Sequence, residues 1–157
     1  MVVVAIVGIL SAMAASMLSR LQPREQLRAS TKDLVSTLRQ ARNITVTGAS
    51  PTSSFPFLVE RVDVVFNPGP PSEYRVQLWT LDPAAAPNNL VYKIVRLPDY
   101  LGSDLTLVLN APLPGNVLRF ERNGGTGAFG DISVVENQTG LTNRINVTRA
   151  GIARVVD

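Results

Sequence analysis

The residue types that most often carry catalysis are scarce in this sequence of 157 residues. Histidine and cysteine are both absent, which removes imidazole bases, thiol nucleophiles and the zinc sites built from these ligands. Glu60 and Asp63 are close enough in sequence to be considered as an acid and base pair. They lie three residues apart in a predicted strand, so their side chains point to opposite faces. We therefore expect no enzymatic activity, no cofactor and no metal.

A glycine-rich segment, Gly-Gly-Thr-Gly at residues 124–127 with Gly130 after it, is the next candidate for chemistry. A phosphate-binding loop needs a Lys-Ser or Lys-Thr pair and a helix that begins directly after the glycines. The sequence has neither at this point. Asn123 and Gly124 instead supply the positive φ angles that a tight hairpin turn requires. The segment therefore predicts a hairpin turn and no nucleotide site.

The charge of the chain limits its partners only mildly. Thirteen arginines and two lysines face 12 acidic residues, and the net charge of +3 is too small to imply nucleic acid by itself. Part of this positive charge recurs at four-residue steps, at Arg20, Arg24, Arg28 and Lys32. Such a stripe fits contact with lipid phosphates or with acidic residues of a neighbouring subunit. It equally fits a solvated helix face beside Glu25 and Asp33.

The first nineteen residues carry no charge, and as a helix they would be about 28 Å long, close to the thickness of a bilayer's hydrocarbon core. A secretory signal would need positive charge before its apolar stretch, although Ala-Met-Ala at 12–14 fits a cleavage site. A buried core helix would be apolar along one stripe rather than all round. We favour an anchoring helix that continues into the domain, lined by Val2, Val3, Val4, Ile6, Val7, Gly8, Ile9 and Leu10.

A second helical pattern follows this segment and runs to about Arg42. Pro23 lies between the two patterns and is expected to kink the helix, because its ring displaces one backbone hydrogen bond. Residues 1–22 are thus predicted to form the membrane half and residues 23–43 the half that packs on the body. The packing face recurs at three- and four-residue steps, at Leu27, Thr31, Leu34, Leu38 and Ala41.

After Arg42 the sequence changes to short apolar runs separated by proline, glycine and asparagine, which is typical of strands and turns. Segments 59–66 and 73–79 alternate apolar and polar residues across Asn-Pro-Gly-Pro-Pro-Ser, and they predict a hairpin with one buried face. A long helix before antiparallel strands indicates an α+β domain over 23–157, with a β-rich body at 55–157. The remaining predicted strands fall in 89–97, 105–109, 116–122, 130–135 and 144–156.

The first twelve residues, Met-Val-Val-Val-Ala-Ile-Val-Gly-Ile-Leu-Ser-Ala, resemble the N-terminal helix of type IV pilins and type II secretion pseudopilins. In that family a Phe-Thr-Leu-Ile-Glu-Leu segment precedes such a run and follows a short basic leader that a prepilin peptidase removes. The methylated N-terminal residue and the assembly glutamate of the family match no residue of this sequence. We therefore expect Met1 to be an internal residue of a precursor.

Three further segments resemble the GspH/FimT (FimU-like) branch of minor pilins and pseudopilins. The amphipathic helix ends in Ala-Arg at 41–42, and a strand with phenylalanine leads into a glycine-rich turn within 118–134. The branch often ends in a hairpin with a Gly-Arg-x-Arg motif. This sequence keeps Gly151 and Arg154 of that motif, and Ile152 replaces its first arginine.

The resemblance implies a structural subunit of a type IV pilus or of a type II secretion pseudopilus, placed in the tip complex that primes filament assembly. It implies a type IV pilin-like fold and a bacterial inner-membrane location, with a single membrane pass and a periplasmic C-terminal domain, before the subunit enters the filament. Its partners would be other minor pilins or pseudopilins, the major pilin and inner-membrane lipid.

Two alternatives stay open at this point. In DNA-uptake members of the branch the terminal loop resembles a phosphate-contacting site, and arginine suits bidentate contact with phosphate oxygens. Arg149, Gly151 and Arg154 are accordingly the candidate contacts with DNA or with a partner protein. The second alternative is a secreted soluble domain whose mature chain begins at Ala15 or Ser16 after signal cleavage.

Overall fold

The computed structural model describes residues 2–69, 71–82, 88–97, 104–110 and 113–156, with side chains from residue 22 onward. One long helix, α1 (Val2–Thr47), comes first. It ends where Gly48 takes a left-handed φ of +67° and its N–H donates to the carbonyl of Ile44 at 2.8 Å, a common C-terminal cap. The helix continues beyond the predicted end near Arg42 because Ile44 adds another buried apolar contact.

The N-terminal half of α1 carries the predicted anchor. The helical backbone runs unbroken from Val2 through Pro23, so the proline does not divide α1 into two helices. Within the residues whose side chains are described, no helix has the length and apolar character needed to cross a bilayer. The side chains predicted to line the anchor, from Val2 to Leu10, lie outside those residues.

The described strands form two antiparallel sheets, which confirms the α+β class. Sheet A has the strand order β3-β2-β1-β5, and sheet B has the order β4-β6-β7-β8. A short 3-10 turn, Pro114–Asn116, precedes β5. The strands are β1 (Arg61–Asn67), β2 (Glu73–Trp79), β3 (Asn89–Arg96), β4 (Leu105–Leu109), β5 (Val117–Glu121), β6 (Gly130–Glu136), β7 (Thr142–Val147) and β8 (Ala153–Val156).

Two hairpins can be compared directly with the strands predicted from the sequence. The predicted first hairpin is confirmed as β1 and β2, in which Val64 lies opposite Val76 and both side chains are buried. The predicted strand at 144–156 is a hairpin, because the chain turns where the N–H of Gly151 donates to the carbonyl of Thr148 at 2.9 Å. Its two arms are part of β7 and all of β8.

Helix α1 packs across both sheets, with contacts to β1, β5, β6, β7 and β8. Its inward side chains share one hydrophobic core with Phe120 of sheet A and Ile145 of sheet B. One flank of α1 therefore lies beside sheet A, and the other lies beside sheet B. The five residues predicted to form the packing face are all buried, namely Leu27, Thr31, Leu34, Leu38 and Ala41.

Candidate functional site

Three segments that stand out in the sequence meet at the C-terminal end of α1. Arg42 Nε donates hydrogen bonds to the carbonyl oxygens of Gly124 at 3.3 Å and Ala150 at 3.1 Å. The first carbonyl belongs to the glycine-rich turn and the second to the turn between β7 and β8. Gly151 follows directly and is buried. Arg42, Gly124, Ala150 and Gly151 together are called the Arg42 junction below, and this junction ties the helix to both turns.

Gly151 has no room for a side chain at this junction. Its φ of +71° lies in the left-handed region that favours glycine. A methyl group on Gly151 would lie 2.2 Å from the carbonyl oxygen of Gly124 and 3.3 Å from Cε1 of Phe120. The glycine that the family resemblance singles out is therefore required here by backbone conformation and by packing.

The glycine-rich segment forms a hairpin turn, as predicted, but with one difference. The N–H of Glu121 donates to the carbonyl of Gly125 at 3.0 Å, which closes a three-residue loop. Gly124 has a φ of +75°, whereas Asn123 does not take the positive φ expected of it. Its Oδ1 instead accepts a hydrogen bond from the N–H of Gly125 at 2.8 Å. A single left-handed glycine suffices because three-residue loops need only one.

The two candidate contact arginines of the C-terminal hairpin lie in different environments. The guanidinium carbon of Arg149 stands 4.6 Å from the centre of the Phe129 ring, a cation–π arrangement. Arg154 is exposed on β8, opposite Asn146 of β7. In the described part of the chain neither arginine lies within ion-pair distance of a carboxylate, so both are available to an external anion.

A basic groove, called the α1 groove below, lies between α1 and the β7–β8 hairpin. It encloses about 770 Å³, and its cations span residues 24–39 of the helix, or about 22 Å along its axis. Apolar side chains form its floor, namely Leu27, Val35, Leu141 and Val155. Four exposed cations on the flank of α1 border it, namely Arg24, Arg28, Lys32 and Arg39.

The position of Val155 explains why this groove is open. Val155 pairs with Ile145 across the β7–β8 hairpin, so the two side chains point to the same face of sheet B. Ile145 is fully buried, whereas Val155 is 50% exposed, because β8 is the outermost strand of the described sheet. Below it, Asn143 Nδ2 donates to Thr31 Oγ1 at 3.1 Å and holds β7 against the helix.

The opposite flank of α1 is closed by polar contacts with sheet A. Asp33 accepts a hydrogen bond from the Tyr74 hydroxyl at 2.8 Å and lies 3.3 Å from Nζ of Lys93. Lys93 also donates to Thr37 Oγ1 at 2.9 Å. The described contacts of Asp33 therefore direct it toward sheet A, on the flank of α1 opposite the groove.

The two carboxylates considered as an acid and base pair are held by different arginines. Glu60 accepts a hydrogen bond from Arg122 at 3.3 Å. Asp63 is buried and accepts a hydrogen bond from Arg119 Nε at 3.1 Å. Nε of Arg61 lies 3.3 Å from the same carboxylate without alignment for a hydrogen bond. The pairing of each carboxylate within sheet A leaves no acid and base facing each other.

Two carboxylates of sheet B have lowered pKa values. The hydroxyl of Thr139 donates to Glu136 and is the main cause of the low pKa of Glu136, and the backbone N–H of Thr139, at 2.7 Å, adds to it. The side chain of Asn146, 2.7 Å away, lowers the pKa of Asp131, and Arg144 contributes further. Both shifts arise from contacts within the β6–β7 hairpin and stabilise ionised, hydrogen-bonded carboxylates.

Sequence reasoning found the basic stripe but missed the groove that it borders. The four-residue spacing of Arg24, Arg28 and Lys32 was the signal for one helix flank, whereas the apolar floor depends on where β8 ends beside that flank. In the described residues, no group of three or more metal-ligating side chains comes together. Comparison of the chain with family models, curated proteins and solved structures finds no match.

Proposed function

We propose that the chain is a minor pilin or pseudopilin, a structural subunit of a type IV pilus or a type II secretion pseudopilus with no catalytic role. One observation carries this proposal. Helix α1 runs without a break from its uncharged residues 2–19 to a segment that packs against both sheets. The described hydrophobic core draws on α1 from Leu27 to Ile44, so the globular body has its own core beside the uncharged half.

Such a helix can serve two environments in turn. In the inner membrane the uncharged half would contact lipid, and in a filament the same surface would contact the helices of neighbouring subunits. Small residues at Gly8, Ala12, Ala14 and Ala15 permit the close approach of helices. The β-rich body would lie in the periplasm and select the neighbouring minor and major subunits near the filament tip.

The Arg42 junction supports the assignment to the GspH/FimT-like branch. The resemblance to that branch rests on three separate stretches, the Ala-Arg end of the helix, the glycine-rich turn and the C-terminal hairpin. The side chain of Arg42 contacts a carbonyl of each of the two turns. Three motifs that are distant in sequence thus belong to one structural unit, as expected if they are the signature of one fold.

Membrane extraction tests the anchor. In the bacterial host, the wild-type chain should stay in the membrane pellet after alkaline carbonate extraction, and Val7→Lys should release much of it, because a lysine near the bilayer centre costs about 2.5–3.5 kcal/mol. Val91→Lys is the matched control, since Val91 is an exposed residue of β3. A mature N-terminus at Ala15 or Ser16 would contradict the proposal and favour a secreted domain.

Cross-linking tests the filament. The chain has no cysteine, so Ala12→Cys introduces a single reporter thiol in the uncharged half. In cells that assemble the filament, we expect a disulfide to a cysteine placed in the corresponding half of a co-expressed minor pilin. Thr47→Cys, at the exposed end of α1, is the control that should remain uncoupled. Equal coupling of both variants, or of neither, would count against helix packing.

Duplex DNA is a second candidate ligand, favoured by the two C-terminal arginines that have no described carboxylate partner. Arg149 and Arg154 lie on one hairpin and could contact successive phosphates. If this function holds, DNA binds at low salt, weakens steeply as salt rises, and is lost in Arg149→Ala/Arg154→Ala. No binding at low salt would remove this candidate.

A further inference from the structure

The α1 groove combines two features that a solvated helix face does not need. Its floor is apolar, and Val155 leaves half of its surface open to the groove. Its border carries four cations, and no carboxylate is among the described side chains that line it. A groove of this kind is completed by an occupant with apolar side chains at its centre and negative charge at its edges.

The cations of the groove are free within the described fold. Arg24, Arg28, Lys32 and Arg39 take part in none of the ion pairs formed by the described residues. The nearest acidic residue on the packed side of the helix, Asp33, is held by Tyr74 and Lys93 on the other flank. Glu25 is exposed next to Arg24 but forms no ion pair among the described residues, so the carboxylates of an occupant can pair with all four cations.

The shape of the groove favours a protein segment over a phosphate surface. A nucleic acid duplex could match the cations, but it would leave the exposed half of Val155 without an apolar partner. A bilayer surface would meet the exposed heads of the cations and would not fill a recess about 22 Å long. An amphipathic helix fills such a recess with one apolar stripe.

The spacing of the cations also fits a helix. Arg24, Arg28 and Lys32 lie four residues apart, or about 6 Å along the axis of α1. A second helix that lies along this flank repeats its own side chains at the same interval, so carboxylates at every fourth residue would match the cations in register.

We infer that the α1 groove binds a helical segment of another protein whose apolar stripe is bordered by aspartate or glutamate. The proposed function enters this inference at one point only: it identifies the bound protein as a neighbouring subunit. Membrane extraction and cross-linking of Ala12→Cys test the N-terminal half of α1. Binding in the groove tests its C-terminal half, so either can fail while the other succeeds.

Fluorescence anisotropy with a defined probe tests this inference. The probe is a fluorescein-labelled 18-residue helical peptide with a leucine stripe at i, i+3, i+4 and i+7 spacing and glutamates on both sides of it. The full chain, in a nonionic detergent so that the assay does not depend on membrane insertion, should bind the probe saturably above detergent alone. Arg28→Glu/Lys32→Glu should weaken binding at least tenfold. Arg96→Glu/Arg122→Glu makes the same change in net charge at two exposed arginines beside sheet A, outside the groove, and should leave affinity within twofold.

Two altered probes separate the contributions of charge and apolar contact. A peptide with lysine in place of every glutamate should bind the Arg28→Glu/Lys32→Glu variant and not the wild type. A peptide with serine in place of every leucine should bind the wild type at least tenfold more weakly, and Val155→Ser should weaken the original probe several-fold.

Each contrary result overturns the inference. Absence of saturable binding, or equal loss in the two charge-reversed variants, would show that the groove does not recognise the probe. Equal binding of the serine peptide would show a site for negative charge alone. If phosphatidylglycerol added to the detergent micelles displaces the probe from the wild type, and itself binds the wild type but not Arg28→Glu/Lys32→Glu, the groove is a site for lipid headgroups.

Discussion

Seven basic side chains on or beside the two sheets lie within 3.6 Å of a carboxylate, whereas none of the four cations that border the α1 groove does so among the described residues. For four of the seven, the difference follows from the burial of the carboxylate. Asp63 and Glu73 are buried in sheet A, and a buried carboxylate without a partner is costly. The paired cations are Arg61, Arg75, Lys93, Arg96, Arg119, Arg122 and Arg144.

The fold requires some of these basic side chains for its stability and does not require others. The arginines of sheet A compensate buried carboxylates, so their loss should lower stability. No described carboxylate is buried against the groove, so its cations can be changed at little cost to the fold. Arg42 is a third case, since it donates hydrogen bonds to carbonyl oxygens of two turns and so ties them to α1.

The largest effect on stability is expected at the Arg42 junction. Gly151→Ala places a methyl group 2.2 Å from the Gly124 carbonyl at a φ of +71°, so the Arg42 junction must open. Strain and overlap together should lower the free energy of unfolding by about 3 kcal/mol. Urea unfolding of the full chain in a nonionic detergent, followed by the fluorescence of its single tryptophan, Trp79, measures the change.

Gly140→Ala is the matched control for this substitution. Gly140 has the same φ of +71°, but no atom lies within 4 Å of the position that its methyl group would take. Its cost should therefore be that of the backbone conformation alone, about 1 kcal/mol. Equal costs for the two variants would show that packing at the Arg42 junction contributes nothing to stability.

A smaller effect is expected from the buried carboxylate of sheet A. Asp63→Asn keeps the shape of the side chain but removes the charge that faces Arg61 and Arg119. The loss of a charged hydrogen bond should cost about 1.5–2 kcal/mol. Glu60→Gln makes the matching change in a more exposed pair with Arg122 and should cost less than about 1 kcal/mol. Urea unfolding at pH 7 compares them, and a larger loss in Glu60→Gln would refute the distinction.

Much of the fold could be predicted from the sequence because its signals are local. The alternation of apolar and polar residues located the β1–β2 hairpin, and the three- and four-residue steps from Leu27 to Ala41 located the buried face of α1. The end of the helix was placed too early, since the burial of Ile44 depends on the tertiary fold. The positive φ assigned to Asn123 was wrong because the length of a hairpin loop cannot be read from Asn-Gly alone.

The candidate site was much less predictable than the fold. The basic stripe is visible in the sequence, but its apolar floor joins Leu27 and Val35 of α1 to Leu141 and Val155, more than a hundred residues later. Likewise, the conformations of Gly124 and Gly151 reflect local turns, whereas their contact with Arg42 is purely tertiary. A single sequence shows which residue types are present, but it does not show which of them come into contact in the folded protein.

The smallest expected effect has the opposite sign. Arg28 stands four residues from both Arg24 and Lys32, and like charges at this spacing destabilise a helix by about 0.2–0.5 kcal/mol per pair. Arg28→Gln removes two such pairs and breaks no described ion pair. It should therefore raise the free energy of unfolding by a few tenths of a kcal/mol at low salt, and urea unfolding in 20 mM and 500 mM NaCl should show the gain shrink through screening.

The matched variant in the sheets is Arg75→Gln. Arg75 Nε donates to the buried carboxylate of Glu73 at 2.8 Å, so the same chemical change should lower stability by up to about 1 kcal/mol. A loss of stability in both variants would mean that Arg28 has a compensating role within the fold. A gain in Arg28→Gln beside a loss in Arg75→Gln would show that the groove cations oppose folding slightly, as expected of charge that is directed toward a partner.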